Sequence, residues 1–119
     1  MRSLAQKLEL RTYANDKLVT FQMTTSAGIA VDSVVGVPLP IIFRYYHLGR
    51  AYDLHQLKNL HPTGTVSLDY IALQLLIGEL EQVAALVADP VIQAYNATLL
   101  PILKSGLTDK TSRLFIKPP

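Results

Sequence analysis

The stretch from Thr65 to Gly106 constrains this chain more than any other, because it is the longest run that is both strongly helical and strongly apolar. Ser67 is placed to cap a helix whose first turn carries Asp69, a carboxylate where the helix dipole favours negative charge. At about 100° per residue, Gln74, Gly78, Glu81, Gln82, Ala85 and Asp89 fall on one narrow polar strip. Leu68, Ala72, Leu73, Leu75, Leu76, Ile77, Leu80, Val83, Leu86 and Val87 cover the rest, and Ile71 alone lies inside the strip. An apolar arc of roughly 200° is wider than the stripe one packing partner needs. Such a helix has to be covered from two sides. Asp89-Pro90 then stops it and starts another, since aspartate caps well and proline suits the first helical position. The second helix presents Val91, Tyr95, Thr98, Leu99 and Ile102 at helical spacing. Pro101 should kink or end it, and Lys104 with Gly106 completes the exit.

The 119-residue chain fits one domain, residues 1–119. Half its residues are hydrophobic and only 17% charged, against a typical ~25%. That excess either fills the core or meets another subunit, and a homodimer is the favoured state. A net charge of +2, from 11 basic and 9 acidic side chains, argues against a nucleic-acid partner. The chain has no cysteine, which excludes disulfides, thiol chemistry and thiolate metal sites. MRSLAQKLEL lacks the apolar core of a signal peptide, and the charge-free run from Pro90 to Leu103 is too short to span a bilayer. A soluble, cytoplasmic protein without membrane contact is expected.

Upstream, residues 4–13 alternate, with Leu4, Leu8 and Leu10 opposite Lys7, Glu9 and Arg11. A turn at 14–17 leads to a second alternating run, Leu18 to Thr25, with Val19, Phe21 and Met23 inward, and the two runs form a hairpin. A third, valine-rich run covers Ile29 to Val37, interrupted by Asp32 and with Gly36 as a possible bulge. Pro38-Leu39-Pro40 bars regular pairing, so Ile41 to Tyr46 is either an edge strand or an extended lead into a helix. Leu54, Leu57 and Leu60 imply a short helix from about Arg50 to Leu60, ended by Pro62-Thr63-Gly64. Ser112 to Lys117 alternates again and adds to the edge of the sheet. The class is α+β: an antiparallel sheet of four to five strands, an N-terminal meander plus the C-terminal strand, packed on one face by a helical block.

Polar chemistry concentrates in residues 44–61, RYYHLGRAYDLHQLKNLH. His47, His55, His61 and Asp53 are metal-ligand types, but His55 and His61 are six apart and oppose each other on a helix. Asp53 and His55, two apart, likewise diverge, which weakens an acid–base pair. No G-x-S-x-G elbow and no glycine-rich phosphate loop occurs. No catalytic residue, metal or cofactor is therefore assigned. Arg44, Arg50 and Lys58 with Tyr45, Tyr46 and Tyr52 resemble a basic-aromatic binding mix, though tyrosines also cap cores with their hydroxyls wet. Arginine and tyrosine are enriched in interface cores. The candidate surface for a protein partner or small ligand is thus Arg44, Tyr45, Tyr46, His47, Arg50, Tyr52, Asp53 and His55. The candidate subunit interface is Ile71, Gly78 and Gln82, Gly78 because a missing side chain lets another backbone approach. Expected function is non-enzymatic: self-association plus binding through 44–61. The alternative is a small-molecule pocket, or a small enzyme using a histidine of 44–61 as acid or base.

Overall fold

A computed structural model describes residues 17–24, 30–60 and 64–119, with residues 30–33 as backbone alone. The expected strand at 4–13, its turn, the Asp32 side chain and His61 lie outside the described residues. Alternation decides the first strand: in β1 (Leu18–Thr24), Val19, Phe21 and Met23 are buried while Thr20, Gln22 and Thr24 are half-buried. β2 (Ala30–Pro38) pairs antiparallel with it, Val19 opposite Val37 and Phe21 opposite Val35. On its other side β1 pairs antiparallel with β4 (Arg113–Lys117), so that Phe21 meets Ile116 and Met23 meets Leu114.

β4 was expected at the sheet edge, yet it lies inside, because β3 (Val66–Leu68) pairs beyond it and gives the order β2-β1-β4-β3. Three residues are too few to show an alternating pattern, which is why Thr65–Ser67 reads as a helix start. The helix there, α2 (Tyr70–Leu86), is capped not by Ser67 but by Asp69, whose side chain accepts from the Ala72 N–H at 2.9 Å. The result is an α+β fold, a four-stranded antiparallel sheet with helices on its apolar face.

Ile41 to Tyr46 is helix rather than strand. α1 (Leu39–Ala51) begins directly after Pro38, with Pro40 in its first turn, where a missing N–H costs nothing. Its buried residues Ile41, Ile42, Tyr45 and Gly49 follow a helical period. The helix expected over 50–60 is replaced by the end of α1 and a return turn. Asp53 takes a left-handed φ of 55°, and the Leu54 N–H donates to Gly49 O at 2.7 Å, a six-to-one helix ending with aspartate in the usual glycine place. A 3-10 turn at Leu57–Asn59 follows. Leu54, Leu57 and Leu60 are all buried, so their spacing reported a core-facing edge without a regular helix.

The turn lies against α1 at Gly49. A Cβ there would meet Lys58 N and come within 2.6 Å of the Leu57 carbonyl carbon, backbone that cannot rotate away. From the other side Glu79 of α2 anchors the turn: its carboxylate accepts from the Gln56 N–H at 2.9 and 3.0 Å and the Leu57 N–H at 3.0 Å. α3 (Pro90–Ser105) starts at the Asp89 cap as expected but runs on through Pro101. Pro101 and Ala97, one turn back, are both exposed, so the carbonyl freed by the missing N–H can face water. Its inward face is also rotated from the expected one, onto Val91, Ile92, Asn96, Leu99 and Leu103. None of the described helices is long and apolar enough to cross a membrane.

Two substitutions test this packing. Gly49→Ala should lower the urea midpoint by a loss of about 1–3 kcal/mol, despite the better helix propensity of alanine; an unchanged midpoint would mean the turn yields. Leu76→Asp, at a site with no solvent exposure, should abolish the cooperative unfolding transition followed by circular dichroism.

Candidate functional site

The expected surface residues divide among three settings. Tyr45 turns into the core. Its hydroxyl donates to Asn96 Oδ1 at 2.6 Å, and Asn96 Nδ2 donates to Leu80 O at 2.9 Å, so α1, α3 and α2 meet in one buried polar chain. Burial pushes the Tyr45 phenol far above its ordinary range, with the neighbouring charges of Asp89 and Tyr95 adding to it.

Arg44 and His47 share the second setting, a shallow groove of about 390 Å³ completed by Leu48, Ala51 and Asp89. Arg44 Nη1 lies 3.1 Å from Asp89 Oδ2, while Asp89 also accepts from the Val91 and Ile92 N–H groups at 3.0 and 3.3 Å. Sequence reasoning gave Asp89 its capping role but missed its place beside Arg44, since nothing local couples positions 44 and 89. On the adjoining face the Arg50 guanidinium stands 5.8 Å from the Tyr46 ring centroid, and Tyr46 meets His47 edge-on at 5.4 Å.

Tyr52, Asp53 and His55 occupy the third setting, the exposed return turn. Lys58 Nζ donates to Asp53 Oδ1 at 2.8 Å and holds that carboxyl below its usual range. The His55 carbonyl accepts from Asn59 Nδ2 at 2.8 Å. The structure therefore brings Arg44, Tyr46, His47 and Arg50 together, buries Tyr45 beneath them, and leaves His55 apart. Among the described residues no three His, Cys, Asp or Glu side chains are grouped to hold a metal ion.

A separate surface runs along α2. Ile71, Gly78 and Gln82 are exposed on one face, as their shared strip implied, and Leu75 and Leu86 join them. Both leucines were expected in the apolar arc. The buried set is instead Leu73, Leu76, Ile77, Leu80 and Val83, a stripe narrow enough for one layer of contacts. The outward line Ile71, Leu75, Gly78, Gln82, Leu86 steps by four, three, four and four residues, which is one helix face. A Cβ at Gly78 would meet nothing within 4 Å. A depression of about 420 Å³ adjoins Ile71, lined by Asp69, Tyr70, Gln74 and Lys110.

No protein-family model, curated protein or solved structure matches this chain.

Tyr45→Phe removes the donor to Asn96 Oδ1 and should cost about 1–3 kcal/mol at neutral pH. The phenol stays neutral when folded and ionises freely only when unfolded. The contribution of this phenol to stability should therefore be flat below pH ~10 and fall above it by up to about 1.4 kcal/mol per pH unit. Urea melts from pH 8 to 11 should show a shallower alkaline fall for Tyr45→Phe than for the natural chain.

Proposed function

We propose that this chain is a cytoplasmic, non-enzymatic protein that works by self-association, as a homodimer formed on the outward face of α2. Its α1 surface of Arg44, Tyr46, His47 and Arg50 then takes a partner or ligand. The observation that carries this reading is the exposure of Ile71 (67%), Leu75 (53%) and Leu86 (50%) on one face of one helix. Single exposed apolar side chains are ordinary, but Ile71 and Leu75 are neighbours one turn apart and Leu86 continues the same face about three turns on. Burying a side chain of this size contributes about 1.5–3 kcal/mol, and a symmetric dimer buries each of them twice. The α1 surface offers arginine and tyrosine, the types that anchor interfaces, and stands on a different helix from the dimer face. Both surfaces can therefore be occupied together.

Sedimentation equilibrium at tens of micromolar should give the mass of a dimer. Leu75→Glu should give a monomer with an unchanged circular dichroism spectrum, because that side chain is exposed and outside the buried core. A strict monomer for the natural chain at that concentration rules the reading out.

A further inference from the structure

The ends and the glutamines of the α2 face are nearly symmetric about Gly78, whereas Leu75, three residues before it, has Glu81 as its counterpart three after. Ile71 lies seven residues before Gly78 and Leu86 eight after; Gln74 lies four before and Gln82 four after. At about 1.5 Å rise per residue, the two apolar ends stand roughly 10–12 Å from the middle. An antiparallel copy laid on this face brings Ile71 against Leu86 of the second copy and pairs the Gln74 and Gln82 amides reciprocally, once on each side. Leu75 lies level with Glu81 of the second copy, whose carboxylate is ion-paired to Lys104 of its own α3. The apolar ends and the glutamines thus complement themselves, as a twofold interface requires.

Charge selects the antiparallel arrangement over the parallel one. α1 carries Arg50 in its last turn and α3 carries Lys104, whereas α2 has no basic residue there. Its C-terminal carbonyls, the negative end of the helix dipole, lack the cation that the other two helices have. Lys110 stands at the opposite end of α2, beside Asp69 and Ile71. Antiparallel seating carries Lys110 to the C-terminus of the second copy's α2, and does so twice. Parallel seating would leave it at the positive end of both helices.

We infer that the occupant of this face is a second copy of the chain, antiparallel, with the twofold axis passing at Gly78 and Lys110 completing the C-terminus of the opposite α2. The inference rests on the self-association proposed above. With helix axes 8–10 Å apart and Cα atoms about 2.3 Å from each axis, facing Gly78 Cα atoms stand roughly 3–5 Å apart, which overlaps the range a disulfide spans.

The chain contains no cysteine, so single-cysteine variants report on this geometry without background. Under mild oxidation Gly78→Cys should cross-link to a disulfide dimer. Ile71→Cys and Leu86→Cys should each stay uncross-linked alone and cross-link when mixed. Lys110→Glu should weaken the dimer about three- to tenfold in sedimentation. If the natural chain sediments as a dimer but Gly78→Cys does not cross-link, or Ile71→Cys cross-links with itself, the antiparallel axis is wrong while self-association stands. A natural chain that sediments as a monomer overturns both.

Discussion

The chain of hydrogen bonds from the Tyr45 hydroxyl through the Asn96 amide to Leu80 O is the constraint on which the helical layer depends. Each link joins a different helix, and both side chains are buried, so an unpaired member would carry its full desolvation cost. Hydrophobic contact alone would let α1 slide or rotate against α2 and α3, because apolar packing has no direction. The polar chain has one geometry. Among the described residues no buried side-chain nitrogen or oxygen lacks a partner, so this specificity comes without a stranded group.

Fixing Tyr45 fixes its neighbours in sequence. With residue 45 turned inward, residues 44 and 47 emerge on one flank of α1 and residues 46 and 50 on the next. Arg44 is thereby delivered to Asp89, and the ion pair ties the flank of α1 to the start of α3. The far end of α1 is held differently. Gly49 lets the return turn press against the helix, and Glu79 fastens that turn to α2 through backbone N–H groups. A carboxylate accepting bonds from backbone donors is stronger than a neutral acceptor would be.

Local pattern carried much of the fold and little of the site. The alternation of Val19, Phe21 and Met23 and the Asp89-Pro90 junction depend on nearest neighbours, and both were legible; the leucine spacing at 54, 57 and 60 gave the burial of those side chains but the wrong backbone, a helix in place of a turn. α1 was not, because Pro38 and Pro40 read equally as strand breakers and as a helix start. β3 was too short to announce itself, and its pairing with β4 alone places the C-terminal strand inside the sheet. Leu75 and Leu86 show the limit of counting apolar residues around a helix: the count gives the arc that can be buried, and only the partner decides how much is. The site failed for a related reason. Tyr45 and Arg44 are adjacent, yet one serves the core and the other the surface, a choice set by Asn96 and Asp89 some fifty residues downstream.

The position of β4 also bears on how the chain reaches this fold. The outermost pair of cross-strand partners, Thr20 and Lys117, are 97 residues apart in sequence. β4 is not an edge that can be added late to a finished sheet, since β3 reaches β1 only through it. Closing a loop of that length costs entropy before the contacts repay it, so the inward side chains of β1 stay without their central neighbour until then. β1 and β2 are consecutive and can pair with each other early, but the four-stranded sheet closes only once β4 has emerged behind the helical layer. Completion of the sheet is in that sense bounded by β4, the strand that joins its two halves.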